Sequence, residues 1–225
     1  KKIKNYYVWD DDKVLRKSFR NKTSHFKKNL NKVDYIVVSP GINIKKSKFK
    51  KKLIKNKKKI ITDLDLFYLI NPDLKTIVIT GTNGKSTTCK ILEHLLKKNK
   101  INGKMGGNIG KPILDLRASR KSIFIIEASS FHLAHSKFIK PTYAMILNVS
   151  RDHIDWHGSM SNYLQSKFKI FRLQKKEHFA FLEDKNLIRK FKNKKYLSKL
   201  KDVSIKPYNK IKHKIENKYL NTKIN

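Results

Sequence analysis

The sequence predicts an α/β fold built on a parallel sheet with crossover helices. Short apolar runs bounded by turn residues alternate with segments of helical periodicity. Two runs, residues 123–126 and 144–147, are continuously apolar, as in central strands buried on both faces. A glycine-rich loop separates a third run, residues 76–80, from a helical pattern. No stretch of about 18 apolar residues occurs, so we expect a soluble protein without a membrane span.

The first part of the chain predicts one βαβ unit. Residues 33–38 form an apolar run that ends at the turn Ser39-Pro40-Gly41. A basic segment, residues 45–57, has helical character, and residues 60–62 form a second short strand.

A domain boundary is predicted near residues 71–75, where Asn71-Pro72-Asp73 is a turn signal. We expect one domain over residues 1–74 and a second over residues 75–225. The further elements expected in the second domain are helices over residues 85–98, 159–171 and 187–197 and a strand over residues 179–182.

The formal net charge of +37 is extreme for 225 residues. A nucleic-acid-binding protein would explain it, because lysines neutralise phosphates. The lysines are spread along the whole chain, however, and are accompanied by abundant Asn and Ile, which is the bias expected of an AT-rich genome. We favour that explanation and do not expect nucleic acid as a partner. The single Cys89 cannot form an intramolecular disulfide, which fits a reducing cytoplasm.

The strongest motif is a glycine loop between a predicted strand and an amphipathic helix, which is typical of phosphate binding. Backbone N–H groups would surround phosphate oxygens, Lys85 would reach the terminal phosphates, and a hydroxyl of Ser86 or Thr87 can ligate Mg²⁺. The spacing is shorter than in a full Walker loop, because Ile79 stands where the first glycine would be. A plain glycine turn before a helix is the alternative. The residues expected to bind nucleotide are Gly81, Thr82, Asn83, Gly84, Lys85, Ser86 and Thr87.

Polar residues follow both central strands. Glu127 comes directly after the first, where a carboxylate can hold Mg²⁺ beside the phosphate loop; an ordinary solvated Glu is the alternative. Residues 152–157, after the second, contain two Asp and two His. The spacing is poor for zinc and thiolates are lacking, so we favour one His acting beside Mg²⁺ or phosphate. Surface histidines are the alternative.

Lys167 lies on the apolar stripe of the predicted helix over residues 159–171. A lysine on an inward face is desolvated, which lowers its pKa and leaves a neutral amine that can react with CO₂ to give a carbamate. Periodicity alone favours the simpler explanation, in which the side chain snorkels along the edge of the core.

Taken together, these residues resemble the Mur ligase family over residues 33–171, and most closely its D-glutamate-adding members. The resemblance implies that ATP phosphorylates the alanyl carboxylate of UDP-N-acetylmuramoyl-L-alanine. The amine of D-glutamate then attacks the acyl phosphate to form an amide, in peptidoglycan synthesis. The motifs occur in the family's order: Ser39-Pro40-Gly41-Ile42, the phosphate loop, Gly106-Gly107-Asn108-Ile109-Gly110, Glu127-Ala128-Ser129-Ser130-Phe131, and the segment from Asp152 to Met160.

The resemblance also implies roles for single residues. Lys85, His153 and Lys167 would be catalytic. One Mg²⁺ would be held by Ser86 or Thr87 with Glu127, and a second by His153 with carbamylated Lys167. The family's carbamylated lysine follows a Tyr by four residues, as Lys167 follows Tyr163, and this favours the carbamate over snorkelling. The residues implied to contact the UDP-muramoyl substrate are Ser39, Pro40, Gly41, Asn108 and Ser129.

The implied architecture is a partial Rossmann-like N-terminal domain followed by a P-loop central ATPase domain with a mostly parallel sheet. Residues 6–10 match the family's second strand; its first strand would precede Lys1 and its C-terminal domain would follow Asn225. We therefore expect a fragment, inactive alone, of a monomeric cytoplasmic enzyme. Asp65 and His132 stand where Glu and Gln are more usual. The alternatives are another Mur or folylpolyglutamate-type ligase, a basic nucleic-acid-binding NTPase, and an inactive remnant that binds ATP without turnover.

Overall fold

The structure is a computed structural model that describes residues 6–19 and 29–203. The predicted domain extents also include residues 1–5, 20–28 and 204–225, which lie outside the described residues. Residues 6–10 contain a single bridged residue, Val8, where the resemblance implied a strand. The first elements are α1 (Lys13–Ser18), β1 (Ile36–Val37), α2 (Lys50–Lys55), a 3₁₀ turn (Lys57–Lys59), β2 (Ile60–Ile61) and α3 (Asp63–Ile70).

The predicted βαβ unit is present, but its elements are short. β1 and β2 pair in parallel, with Ile36 opposite Ile60. The run 33–38 contributes only two residues to this pairing. Tyr35 and Val37 are exposed, so only one face of the strand is buried. The predicted helix over 45–57 is shortened to α2 and the 3₁₀ turn. A small apolar cluster holds the unit together: Leu30, Ile36, Val38, Ile44, Leu53 and Ile60.

Helix α3 connects this unit to the rest of the chain and was not predicted from the sequence. Thr62 begins it: its side chain accepts a hydrogen bond from the Asp65 backbone, and the Asp65 carboxylate accepts one from the Thr62 backbone. Phe67 and Tyr68 are buried on its inner face. The turn after α3 and the next strand lie where the sequence predicted them.

A six-stranded sheet forms most of the remaining structure, with strand order β4-β5-β3-β6-β7-β8. Every pairing in it is parallel, which confirms the predicted fold class. Its strands are β3 (Lys75–Thr80), β4 (Asn102–Gly107), β5 (Ser122–Glu127), β6 (Tyr143–Ile146), β7 (Phe179–Leu182) and β8 (Lys199–Asp202). The helices are α4 (Lys85–Lys98), α5 (Ser130–His135), α6 (Ile154–His157), α7 (Met160–Phe168) and α8 (Lys185–Asn193), with 3₁₀ turns at Ile113–Asp115 and Lys169–Phe171.

Helices cover both faces of this sheet. On one face, α4 packs a small cluster that includes Ile79, Cys89 and Ile125. On the other, α3, α5, α7 and α8 enclose the main core, in which Phe124 and Phe171 are fully buried. Full burial of one such side chain stabilises the fold by about 1.5–3 kcal/mol. The sheet is thereby held rigid under the loops at its carboxyl edge.

The edge strand β8 was not predicted from the sequence. It pairs with β7, and among the described residues it is the last strand of the sheet. The ammonium groups of Lys199 and Lys201 lie 5.7 and 5.9 Å from the centre of the Phe179 ring. Within the described part of the chain, no helix is long and apolar enough to cross a membrane.

Candidate functional site

The glycine loop lies at the carboxyl edge of the central strand β3, between the ends of β5 and β6. Gly84 begins α4 with a φ of 80°, a conformation that favours glycine. A Cβ at Gly81 would lie 3.1 Å from the Leu147 Cβ, so the loop also passes close to the segment after β6. The carboxyl edge of a parallel sheet is where α/β folds bind ligands.

Asn148 fixes the shape of the glycine loop. Its Oδ1 accepts hydrogen bonds from the backbone of Thr82 at 3.2 Å and of Asn83 at 2.9 Å. Its Nδ2 donates to the Asn83 carbonyl at 3.2 Å. The sequence singles out Asn148, together with residues 152–157, for its position after a buried strand, but it assigned Asn148 no specific role.

Two lysines donate to the same carbonyl of the loop. Lys85 Nζ lies 3.0 Å from the Gly81 oxygen and 2.6 Å from the Thr82 oxygen. Lys167 Nζ, from α7, lies 2.7 Å from the Gly81 oxygen. The apolar stripe had predicted an inward-facing Lys167, and the residue is 1% exposed. Burial, and then the charge of Lys85, lower the pKa of Lys167 to about 7, against the opposing charge of Asp152.

The side chain of Tyr163 contacts both Lys167 and the glycine loop. Its ring centre lies 4.5 Å from Lys167 Nζ, within the range of a cation–π contact. Its hydroxyl is 3.0 Å from Thr82 Oγ1, which also accepts a hydrogen bond from the Ser150 backbone. The loop is thus held by the side chain of Asn148, which follows β6, and by that of Tyr163 from α7.

Glu127 lies beside the loop with one carboxylate oxygen unsatisfied. The residue is 2% exposed and pairs in register with Ile79, two residues before Gly81. Its Oε1 accepts from Asn108 Nδ2 at 3.1 Å, whereas its buried Oε2 has no hydrogen-bond partner. A Cβ at Gly107 would lie 2.4 Å from the Glu127 carbonyl oxygen, so this approach requires glycine. An unpaired carboxylate oxygen at this position fits Mg²⁺, which prefers oxygen ligands.

His153 lies at the rim of the site. Its backbone has a φ of 50°, which is uncommon for a residue other than glycine, and its side chain is 47% exposed. The imidazole Nε2 is 3.2 Å from an Asp152 carboxylate oxygen, and the ring lies 4.7 Å from that of Phe131. In this conformation His153 pairs with Asp152 while Lys167 donates to Gly81.

The second histidine of this segment is buried. His157 Nε2 lies 3.0 Å from Ser130 Oγ, and burial lowers the pKa of His157 to about 4. The ring is neutral near pH 7 and joins the segments that follow β5 and β6. In the described residues no three His, Cys, Asp or Glu side chains gather as metal ligands would, so residues 152–157 do not form a zinc-type cluster.

The predicted substrate residues occupy three places, one of which is Asn108 beside Glu127. Ser39, Pro40 and Gly41 form a turn whose Gly41 carbonyl accepts from the Trp156 indole at 3.4 Å. Ser129 caps α5, and its hydroxyl lies 2.7 Å from His132 Nδ1. The turn therefore lies against the histidine segment, while the Ser129 side chain is engaged within its own helix.

The predicted nucleotide hydroxyls lie at the start of α4. Ser86 is half-buried and Thr87 is exposed. Both belong to the first turn of the helix, beside the loop that Asn148 and Tyr163 hold. Together with Glu127 they are the described residues that could hold a metal ion next to a bound phosphate.

Comparisons with known proteins identify similar sequences and a similar fold. Residues 79–224 match the family described as the Mur ligase middle domain. The chain is 35% identical over 192 residues to UDP-N-acetylmuramoylalanine--D-glutamate ligase of Rickettsia bellii, covering 81% of this chain and 41% of that protein. It is 38% identical over 190 residues to the ligase of the same name from Elusimicrobium minutum, again covering 41% of that protein. The chain thus spans about two fifths of the length of these relatives.

Among solved structures, the fold is similar to that of UDP-N-acetylmuramate:L-alanyl-gamma-D-glutamyl-meso-diaminopimelate ligase from Neisseria meningitides. The TM-score is 0.52 at 17% identity, and the match covers 88% of this chain and 68% of that one. At this identity the likeness supports the fold alone.

Proposed function

The chain belongs to the Mur ligase family, and from this membership we propose that the complete protein containing it is an ATP-dependent ligase that adds D-glutamate to UDP-N-acetylmuramoyl-L-alanine. The observation that carries the proposal is that Lys85 and Lys167 donate to the same carbonyl of the glycine loop, beside the strand that ends at Glu127. The names of the relatives supply the amino acid and the nucleotide sugar. The reaction would contribute to peptidoglycan synthesis in the cytoplasm, with the enzyme acting as a monomer.

The proposed reaction has two steps. The alanyl carboxylate attacks the γ-phosphorus of ATP, the bond to the bridging oxygen breaks, and ADP leaves. The neutral amine of D-glutamate then attacks the acyl carbon, the C–N bond forms, and inorganic phosphate and a proton leave. Catalysis of this kind depends on positioning and on neutralising charge.

In this proposal the glycine loop binds the phosphates of ATP. Lys85 exchanges its two carbonyl acceptors for the terminal phosphate, and Asn148 keeps the loop open while it does so. Mg²⁺, which would neutralise phosphate charge, would be held by Glu127 with Ser86 or Thr87. The unpaired Oε2 of Glu127 supports this part of the proposal.

We also propose that Lys167 carries a carbamate. Its neutral amine would attack CO₂ to form an N–C bond and release one proton to solvent, so that an uncharged amine becomes an anionic carbamate. Near-complete burial and a pKa of about 7 support the reaction, because they leave much of the amine neutral. The carbamate and His153 would then hold a second Mg²⁺, and the Ser39–Gly41 turn, Asn108 and Ser129 would contact the nucleotide sugar.

The test is phosphate release by the complete protein that contains residues 1–225. It is supplied with ATP, Mg²⁺ and UDP-N-acetylmuramoyl-L-alanine, and D-glutamate is compared with other amino acids. We expect release that requires D-glutamate and is lost in Lys85→Met. The matched control is Lys90→Met, a change to an exposed lysine on the same helix.

Each other outcome has a definite meaning. Release that requires a different amino acid would keep the family and change the member, as in another Mur or folylpolyglutamate-type ligase. Release stimulated by polynucleotide instead of the nucleotide sugar would refute the proposal. Equal loss in the Lys85 and Lys90 variants would remove Lys85 from the mechanism.

A further inference from the structure

Two reciprocal hydrogen bonds connect the first βαβ unit to helix α6. The Trp156 indole donates to the Gly41 carbonyl at 3.4 Å, and Asn43 Nδ2 donates to the Trp156 carbonyl at 3.0 Å. The partners are more than a hundred residues apart in the chain. Both bonds join residues 39–43, here named the substrate turn, to the short helix that follows His153.

Polar contacts of α5 and of the segment after it also fix the first unit: His135 forms a hydrogen bond with the Ile42 backbone, and Lys137 Nζ donates to the Lys57 and Lys58 carbonyls. Ser39, Gly41 and Ile42 are exposed. The apolar cluster of the first unit is separate from the clusters that support the six-stranded sheet. The position of the turn relative to the phosphate loop therefore depends on polar and aromatic contacts such as those of Trp156.

The indole ring of Trp156 also packs against three aromatic side chains. Its centre lies 5.0 Å from that of Phe131, 5.7 Å from His135 and 4.7 Å from His157. Phe131 also contacts the ring of His153. Because Phe131 belongs to α5, which follows Glu127, one indole contacts the substrate turn and the segments that follow both β5 and β6.

We infer that Trp156 is a positioning residue that sets the substrate turn against the phosphate loop and so determines the affinity for the nucleotide-sugar substrate. The inference rests on the proposed function. Since the two hydrogen bonds between Trp156 and the turn involve no residue of the phosphate loop, ATP binding should not depend on the indole N–H group. Trp156 had no role in the sequence analysis beyond its place in a motif.

The test compares Trp156→Phe with Trp9→Phe in the complete protein. Trp9→Phe is the matched control, because Trp9 and Trp156 are the two tryptophans of residues 1–225. Trp156→Phe keeps an aromatic ring but removes the N–H group. We expect it to raise the KM for UDP-N-acetylmuramoyl-L-alanine about fivefold, the effect of one hydrogen bond. The KM for ATP and kcat should stay within about twofold of wild type, because only substrate binding is weakened.

A second variant and a spectroscopic signal separate positioning from general damage. Asn43→Ala removes the reciprocal bond without touching an aromatic ring and should raise the same KM. The change in tryptophan fluorescence on adding the nucleotide sugar should be smaller in Trp156→Phe than in Trp9→Phe, in which Trp156 remains.

Failure of this inference differs from failure of the proposed function. If wild type turns over the nucleotide sugar but neither variant changes its KM, or if both raise the KM for ATP equally, Trp156 is not a positioning residue. A fluorescence change of equal size in Trp156→Phe and Trp9→Phe would have the same meaning. If wild type does not use the nucleotide sugar at all, the proposed function fails and this inference with it.

Discussion

Replacing Asp65 by alanine should weaken the connection between α3 and the segment after α5. The carboxylate is fully buried and accepts hydrogen bonds from the backbone of Thr62 at 3.1 Å, Lys137 at 2.8 Å and Phe138 at 2.7 Å. Burial raises the pKa of Asp65, and these three donors oppose that effect. No lysine or arginine forms an ion pair with this carboxylate among the described residues, so backbone N–H groups satisfy it.

The size of the effect follows from those contacts. Each buried donor left without a partner costs about 1–3 kcal/mol. Lys137 and Phe138 are only half-buried, so water can reach their N–H groups in the variant, and the variant no longer buries a charge. We therefore expect Asp65→Ala to lower the free energy of unfolding by about 3 kcal/mol, with about half that loss in Asp65→Asn, which keeps one acceptor.

The assay is urea unfolding followed by far-ultraviolet circular dichroism. A lower midpoint with an unchanged m-value indicates a loss of stability without a change in the surface exposed on unfolding. Asp63→Ala is the control, because its carboxylate lies in the same helical turn and is partly exposed. It should cost less than about 1 kcal/mol. Equal losses in the two alanine variants would refute the reasoning.

Two further predictions concern the site. Lys167→Ala should lower the ligase activity of the complete protein at least about a hundredfold. Short carboxylic acids should partly restore this activity, because they can replace the carbamate. Full activity in Lys167→Ala, or the same loss of activity in the exposed control Lys175→Ala, would exclude the carbamate. The free energy of unfolding should fall as the pH drops from 6.5 towards 4, because unfolded His157 takes up a proton near 6.5 whereas the folded ring does so near 4. Urea unfolding of His157→Gln across this range should show a smaller dependence on pH, and an unchanged slope would contradict the assignment.

The central strands and the phosphate loop could be predicted from the sequence because their signals are local. Continuous apolar runs predicted β5 and β6, and the glycine loop predicted the start of α4. The inward face of Lys167 also followed from spacing along one helix. Each of these features depends on neighbours within a few turns of the chain.

Other features depend on partners that the sequence does not identify. Strand β4 contains three glycines and was missed because glycine weakens a strand, yet Gly107 is required by its approach to Glu127. The start of α3 carries a local capping signal at Thr62 that could have been recognised. The contacts of Trp156 with Gly41 and of Asp65 with Phe138 join residues far apart in the chain, so no local pattern indicates them.

Within residues 6–19 and 29–203, β8 is an edge of the sheet, and its lysines have a consequence for self-association through that edge. An edge strand offers free backbone donors and acceptors to any second strand that approaches, including the same strand of another molecule. Lys199 and Lys201 both lie over the Phe179 ring, so two positive charges stand side by side on one face of this edge. Two such edges brought together would repel each other at short range, and this repulsion disfavours growth of the sheet from one molecule into the next.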